Sequence, residues 1–266
     1  MPAGIALDER DILVEREPTG IAVVRLNRPA RRNAVTYAMW LRLGELFGQL
    51  ASDSTVRAVI LTGNGGCFSA GADITEFDEL RADAAAAERY EAAGETCTKQ
   101  LAALPKPTVA AIGGPCMGGG LSLAEACDFR VADRSALFSV PAARLGIVYN
   151  VAECRDLLAL VGLARAKRML FSGARFDAAE ASRLGIVDEL ADDALAAAHE
   201  LLAPMVDNAP LAIAGMKLVL HAIAAGEVAA RAPAIAAAIG RAAGSADHRE
   251  GVKAFAERRK PAFQGR

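Results

Sequence analysis

The sequence predicts an α/β fold with parallel strands, mainly because a strand, a glycine-rich loop and a helix follow one another twice. An apolar segment at 56–62 leads into a glycine loop at 63–71, and another apolar run from 108 leads to three glycines at 118–120 and a helical stretch. Strands and helices that alternate in this way form parallel sheets with helical crossovers. Active sites of such sheets lie at the strand ends, where the loops gather.

Length and composition indicate one large domain, or a domain with an appendage. The chain has 266 residues, and 53% of them are hydrophobic, so a large core can be buried. A net charge of −2 gives no field that would attract nucleic acid or an anionic membrane. No apolar run reaches membrane-spanning length, and the N-terminus has no signal or transit pattern. We therefore expect a cytoplasmic protein that spans no membrane.

Cysteine and histidine positions argue against a metal site. The five cysteines are scattered and lie mostly in apolar segments, and the three histidines are far apart in sequence. No pair has the spacing of zinc ligands. The cysteines are therefore predicted to be reduced thiols in the core of a cytosolic protein.

The N-terminal third begins with two short strands, predicted at 12–15 and 21–26 around a Pro-Thr-Gly turn. A loop with three arginines follows at 27–34, and apolar periodicity predicts a helix at 37–50. The arginines have two interpretations, a solvated turn or a patch for phosphate groups, which arginine binds well.

The rest of the chain is mostly helical. Asn150 can cap a helix at 151–161, and Glu153 three residues later makes the start close to a capping box. The segment 191–243 is nearly all helical, and a basic helix follows from 246. We predict a core at 1–190 and a helical C-terminal subdomain at 191–266. Further elements are predicted as helix at 75–104, strands at 129–132 and 137–140, helices at 163–171 and 177–184, and a strand at 186–190.

The glycines at 118–120 also have two interpretations. They can allow close packing between a strand and a helix. Alternatively, they let a ligand approach the backbone where the first N–H groups of a helix have no internal partner. Such a place can hold a carbonyl oxygen that becomes an oxyanion.

Five stretches in register resemble the crotonase superfamily, the enoyl-CoA hydratase/isomerase family. They are LNRPARRNAV at 26–35, VRAVILTGNGGCFSAGADI at 56–74, KPTVAAIGGPCMGGGLSLAEACDFRVA at 106–132, LGIV at 145–148 and SADHREGVKAFAERRKPAF at 245–263. The resemblance covers essentially the whole chain. The ending PAFQGR is similar to the tails of actinobacterial members that lack the two hydratase glutamates.

This resemblance implies a spiral of ββα units at 1–190 and a helical C-terminal part at 191–266 that forms homotrimers, often as a dimer of trimers. The implied ligand is an acyl-CoA thioester, with coenzyme A as part of the substrate and no separate cofactor. The backbone N–H groups of Ala72 and Gly119 match the family's oxyanion hole. Implied contacts to coenzyme A fall on Ala30, Arg31, Arg32, Ala70, Asp73 and Ile74, and on Phe255 and Lys260 of the last helix and tail.

Two positions depart from the family pattern. Hydratases of the family use two glutamates, and Ser122 and Ala142 stand at these places in the substrate site. Neither side chain is a useful general acid or base. Glu153 and Glu125 are the candidate replacements. Each also has a structural interpretation: Glu153 can serve the helix start, and Glu125 can be a partner near Asp128 or Arg130.

The predicted function is therefore that of a crotonase-type protein in fatty-acid or related acyl-CoA metabolism. It would bind an acyl-CoA and stabilise the enolate, as a lyase or isomerase whose proton-transfer residue is non-standard. The alternative is a non-catalytic protein that binds acyl-CoA and has lost the acid/base pair.

Overall fold

The computed structural model describes residues 8–266. Its strands are β1 (Ile12–Arg16), β2 (Ile21–Leu26), β3 (Ala58–Gly63), β4 (Thr108–Ile112), β5 (Pro115–Met117), β6 (Phe129–Asp133), β7 (Leu137–Ser139), β8 (Phe176–Asp177) and β9 (Glu189–Ala191). Its α-helices are α1 (Tyr37–Ser52), α2 (Phe77–Leu80), α3 (Ala84–Ala102), α4 (Gly119–Glu125), α5 (Val151–Val161), α6 (Leu163–Ser172), α7 (Ala178–Leu184), α8 (Ala194–Val206), α9 (Pro210–Ala224), α10 (Val228–Ala243) and α11 (Ala246–Glu257).

The larger sheet has the strand order β1-β2-β3-β4-β6-β9. Strand β1 is antiparallel to β2, and the other neighbours are parallel, which confirms the predicted α/β class. Strands β3 and β4 are buried almost throughout, as is usual where helices cover both faces of a parallel sheet. One face packs against α1, α3 and α4, and the other face packs against α8 through Ala194, Ala198 and Leu202.

A second sheet has the order β5-β7-β8 and was not predicted. Its strands have three, three and two residues, too few to show an alternating pattern. The sheet continues into the glycine turn, because the N–H of Gly118 donates to the carbonyl of Ser139 at 2.9 Å. It therefore fixes where α4 begins.

Two predicted strand boundaries are wrong, for local reasons. The third strand begins at Ala58, because the N–H of Val56 closes a turn onto Asp53. The last strand begins only at Glu189. Ile186 lies in the C-terminal cap of α7, because its N–H donates to the carbonyl of Ala181 after the left-handed Gly185. The capping box at Asn150 and Glu153 is confirmed.

Helix α8 lies in the predicted C-terminal subdomain, yet it packs on the large sheet of the core. Within residues 8–266, no single helix has the length and apolar composition of a membrane span. Helices α8 and α9 reach that composition only as a pair, and they meet at a bend of 109°.

Candidate functional site

A cavity of about 120 Å³ lies between the glycine loops, the helices α2 and α3, and the segment from Pro141 to Glu153. Ala70, Gly71, Ala72, Gly118 and Gly119 form the part of its wall where the oxyanion hole is predicted, here called the thioester end. Its remaining wall is formed by Trp40, Ile74, Phe77, Arg81, Tyr90, Glu91, Gly94, Glu95, Thr98, Ser122, Pro141, Ala142, Leu145, Ile147, Tyr149 and Glu153.

The two glycine loops touch each other in this cavity. Gly71 has a left-handed φ of +95°, and a Cβ added there would lie 2.5 Å from the carbonyl oxygen of Met117 and 3.2 Å from the nitrogen of Gly119. A Cβ on Gly119 would lie 3.6 Å from the nitrogen of Ala72. Among the hydrogen bonds of residues 8–266, none uses the N–H of Ala72 or Gly119 as donor. Within these residues both N–H groups are therefore left without an internal partner, as the predicted oxyanion hole requires.

The arginine loop is attached to the first glycine loop through Asn33, whose side chain is buried and whose φ is +54°. Its Nδ2 donates to the carbonyls of Asn64 and Cys67, and Ser69 Oγ donates to the carbonyl of Asn33 at 2.8 Å. The N–H of Gly71 in turn donates to Ser69 Oγ. These bonds fix the position of the loop that carries Ala72.

Of the three arginines in this loop, Arg28 is occupied internally, since its Nη1 lies 2.8 Å from Asp73 Oδ2. Burial raises the pKa of Asp73, but hydrogen bonds from Thr75 and Arg28 outweigh it and hold the pKa below its ordinary value. Asp73 thus shapes the loop as an anion. Arg31 and Arg32 are exposed, and neither forms an ion pair with another described residue. Ala30 is exposed beside them, and the predicted contact of this loop with a phosphate stays a prediction.

The predicted substitution sites both face the cavity. Ser122 is buried on α4, and its Oγ donates to Glu153 Oε1 at 3.0 Å. Ala142 is 6% exposed and adds a methyl group beside Pro141. The position where the resemblance places one hydratase glutamate is therefore in hydrogen-bond contact with the carboxylate of Glu153.

Glu153 has the predicted structural role at the start of α5 and also lines the cavity, while its catalytic role stays a prediction. It closes the capping box of α5, with Oε2 accepting from the N–H of Asn150 at 3.3 Å, and it also lines the cavity. Burial raises its pKa above the ordinary value of 4.5, against the lowering effect of the bonds from Ser122 and Asn150. Burial also raises the pKa of the neighbouring Tyr149, which keeps this phenol neutral.

Glu125 is placed differently, because it is absent from the cavity wall. Its Oε1 is buried and has no hydrogen-bond partner among the described residues. Burial raises its pKa well above the ordinary value of 4.5, which favours the protonated form of the carboxyl group. The proposed structural partners are engaged elsewhere: Asp128 binds Lys217 at 2.8 Å, and Arg130 binds Asp188 at 2.6 Å.

The last helix does not reach the cavity within one chain. Phe255 is 88% exposed and lines a separate cavity of about 540 Å³ formed by α9, α10, α11 and the tail. Lys260 is exposed and lines neither cavity. The contacts of these two residues to coenzyme A stay predictions.

Sequence reasoning missed the wall that α2 and α3 contribute. Glu91, Glu95 and Thr98 follow a spacing of four and three residues, which places them on one face of α3. This periodicity is visible in the sequence, but a polar helix face is usually solvated. Whether this face of α3 points to solvent or to the cavity depends on how the helix packs in the folded protein.

Comparisons with known proteins agree with this geometry. The family model described as enoyl-CoA hydratase/isomerase matches residues 16–266. The short-chain-enoyl-CoA hydratase of Clostridium acetobutylicum is 33% identical over 260 residues, covering 96% of this chain and 97% of that protein. The enoyl-CoA isomerase/hydratase fer4 of Mycosarcoma maydis is 34% identical over 263 residues, covering 94% of each chain.

Among solved structures, an enoyl-CoA hydratase/isomerase family protein from Hyphomonas neptunium superposes with a TM-score of 0.90 at 32% identity. The match covers 96% of this chain and 98% of that one. A match over nearly the whole length, in both sequence and fold, leaves one assignment. The chain belongs to the enoyl-CoA hydratase/isomerase family of the crotonase superfamily.

Proposed function

We propose that this protein binds an acyl-CoA thioester and forms its enolate, with the N–H groups of Ala72 and Gly119 on the thioester oxygen and Glu153 as the base. The reaction we propose is movement of a double bond. Glu153 removes a proton from C2 of a 3-enoyl-CoA, the electron pair moves onto the thioester oxygen as a dienolate, and the same proton returns to C4. The product is the conjugated 2-enoyl-CoA.

One observation carries this proposal: Glu153 Oε1 lies 3.0 Å from Ser122 Oγ, at the place where a hydratase of the family carries a glutamate. Two other glutamates line the cavity among the described residues, but Glu91 pairs with Arg81 and Glu95 pairs with Lys99. Glu153 forms no such pair. Its raised pKa brings it closer to neutral pH, where a carboxylate exchanges protons most effectively.

Hydration fits this site less well than isomerisation. Adding water requires one group to orient and activate the water and a second to deliver a proton to carbon. Ala142 supplies neither group, and the hydroxyl of Ser122 donates a hydrogen bond to Glu153. A proton shift between two carbons needs a single carboxylate and a stabilised enolate, and the cavity offers this set. The fer4 relative is named an isomerase/hydratase, so isomerisation is a reaction named within the family.

The test is proton exchange at C2 in D2O, followed by mass spectrometry of a saturated acyl-CoA, together with the rise in absorbance as a 3-enoyl-CoA becomes conjugated. Glu153→Gln should lower both rates by roughly 10²- to 10⁴-fold and leave acyl-CoA binding unchanged. Glutamine still closes a capping box, so the start of α5 should be preserved.

A matched control is Glu180→Gln. Glu180 is the third residue of α7 after the N-cap Asp177, as Glu153 is the third residue of α5 after the N-cap Asn150, but Glu180 lies outside the cavity wall. It should leave both rates unchanged. Exchange that persists in Glu153→Gln would remove Glu153 from the mechanism.

A second candidate is a non-catalytic acyl-CoA-binding protein. It is favoured by the hydrogen bonds to both oxygens of Glu153, which weaken a base. Tight binding of acyl-CoA with no exchange at C2 on any chain length would support this candidate and contradict the enzyme. Both candidates use the same thioester end of the cavity.

We also propose that residues 191–266 mediate assembly into trimers. Large apolar side chains are exposed on α9, α10 and α11, namely Met216, Leu220, Ile223, Ile239, Val252 and Phe255. Several large apolar side chains exposed on successive helices are typical of an interface. Light scattering that gives the mass of a monomer at micromolar concentration would contradict it.

A further inference from the structure

One wall of the cavity is charged, although the rest is largely apolar. Glu91, Glu95 and Thr98 lie on the face of α3 that lines the cavity, and Arg81, between α2 and α3, lines it beside them. All four are partly buried. Nothing in the proposed proton transfer uses this wall, so its chemistry requires another explanation.

The wall is held in place by packing. The guanidinium group of Arg81 forms an ion pair with Glu91 and lies over the rings of Phe77 and Tyr90, at 4.7 and 5.4 Å from their centroids. The hydroxyl of Tyr90 accepts a hydrogen bond from Trp40 Nε1 at 3.3 Å. The ring of Trp40 also packs against Gly119, because a Cβ added to Gly119 would lie 3.0 Å from Trp40 Cζ2. This wall therefore packs against the thioester end.

The wall also faces the proposed base. Arg81 and Glu95 line the same cavity of about 120 Å³ as Glu153. An acyl group that reaches from the thioester end past Glu153 must therefore run along the charged wall. The wall consequently belongs to the acyl end of the site.

A plain hydrocarbon chain is a poor occupant of this end. It would displace water from Arg81, Glu91 and Glu95 without replacing the hydrogen bonds, and desolvating charged groups is costly. A carboxylate on the acyl chain is also unfavourable, because Arg81 already pairs with Glu91 and Lys99 already pairs with Glu95, so no unpaired cation on this wall would receive it. A hydroxyl group can donate to a glutamate and accept from an arginine at the same time.

We propose that the acyl group bound here carries a hydroxyl substituent beyond C3, held between Glu95 and Arg81. This inference rests on the proposed function, since it names the substrate class of the same acyl-CoA site. It concerns the acyl end alone and is independent of whether Glu153 is catalytic.

The test is calorimetric binding of acyl-CoAs that have six acyl carbons and differ in one substituent. They are hexanoyl-CoA, its 4-, 5- and 6-hydroxy derivatives, and adipyl-CoA, which has a carboxylate at the sixth carbon. One hydroxy derivative should bind about tenfold more tightly than hexanoyl-CoA, as expected for a hydrogen bond to a charged group. Adipyl-CoA should bind most weakly.

Glu95→Leu should abolish the preference for the hydroxyl group and tighten binding of hexanoyl-CoA. Glu88→Leu is the matched control, because Glu88 is exposed on the same helix and lies outside the cavity wall. It should leave the order of affinities unchanged.

The outcomes separate the two proposals. If hexanoyl-CoA binds at least as tightly as every hydroxy derivative, or if Glu95→Leu keeps the preference, the hydroxyl inference is wrong while acyl-CoA binding stands. If none of the five thioesters binds, the proposed function itself fails.

Discussion

The two ends of the cavity are built from different parts of the chain. At the thioester end, the groups offered to a ligand are backbone N–H groups of Ala72 and Gly119, placed by contacts between glycine loops. At the acyl end, they are side chains of Ser122, Glu153 and the α3 wall. A backbone donor survives most substitutions, whereas a side-chain acid or base is lost in one. Binding of a thioester can therefore be retained while the chemistry beyond it changes.

The largest expected effect is at the thioester end. In Gly71→Ala, the new Cβ would lie 2.5 Å from the carbonyl of Met117 and 3.2 Å from the nitrogen of Gly119, so the loops must separate. Loss of one oxyanion donor costs on the order of 10²- to 10³-fold in rate. We expect a loss of this size in exchange at C2, measured in D2O, and a comparable weakening of an enolate analogue.

Gly66→Ala is the control for this experiment. Gly66 also has a left-handed φ, +69°, but a Cβ there meets nothing within 4 Å. Backbone strain without crowding should leave exchange nearly unchanged. Equal losses in the two variants would mean that the loop conformation, and not the approach of Ala72 to Gly119, sets the rate.

The acyl end should resist a simple return to hydratase chemistry. Ser122→Glu combined with Ala142→Glu restores both family glutamates, but residue 122 contacts Glu153. Two carboxylates at this separation cannot both ionise readily, so the pair would not act as separate acid and base. Adding Glu153→Gln should raise hydration roughly 100-fold over the double variant, followed as loss of 2-enoyl thioester absorbance.

Equal hydration by the double and triple variants would contradict this incompatibility between residues 122 and 153. Ala142→Glu with Glu153→Gln, which keeps Ser122, is the appropriate control. It should stay inactive, because it lacks a carboxylate at residue 122.

The smallest expected effect concerns Glu125, behind the acyl end. Burial raises its pKa well above 4.5 in the folded protein, so the folded state keeps a proton that the unfolded state releases above that pH. Its contribution to stability is therefore fully present below pH 4.5 and is lost as pH rises toward the folded pKa. Glutamine cannot ionise, so the melting temperature of Glu125→Gln should exceed that of the parent protein at pH 8. At pH 4 the two melting temperatures should be equal.

The expected gain at pH 8 is on the order of 1 kcal/mol, or about 2–4 °C in the melting temperature. Glu88→Gln, at an exposed position of α3, should show no such pH-dependent difference. Parallel melting curves for Glu125→Gln and the parent across this pH range would mean that Glu125 is ionised in the folded protein.

Much of the fold was predictable because its signals are local. The buried strands β2 and β4, the helix α1 and the capping box at Asn150 each depend on residues within one segment. The short strands β5 and β8 were missed, since they exist only where separate segments pair. The packing of α8 on the large sheet likewise depends on a surface that the helix sequence does not contain.

For the site, the sequence by itself determined that positions 122 and 142 carry no carboxyl group, because serine and alanine stand there. It also determined where glycines allow the backbone to approach a ligand. Only the tertiary structure decided that Glu153 contacts Ser122 and lines the cavity, while Glu125, one turn beyond Ser122, does not. The physical reason is that position along a chain fixes a side chain's identity, but burial, pKa and partners depend on the elements that pack around it.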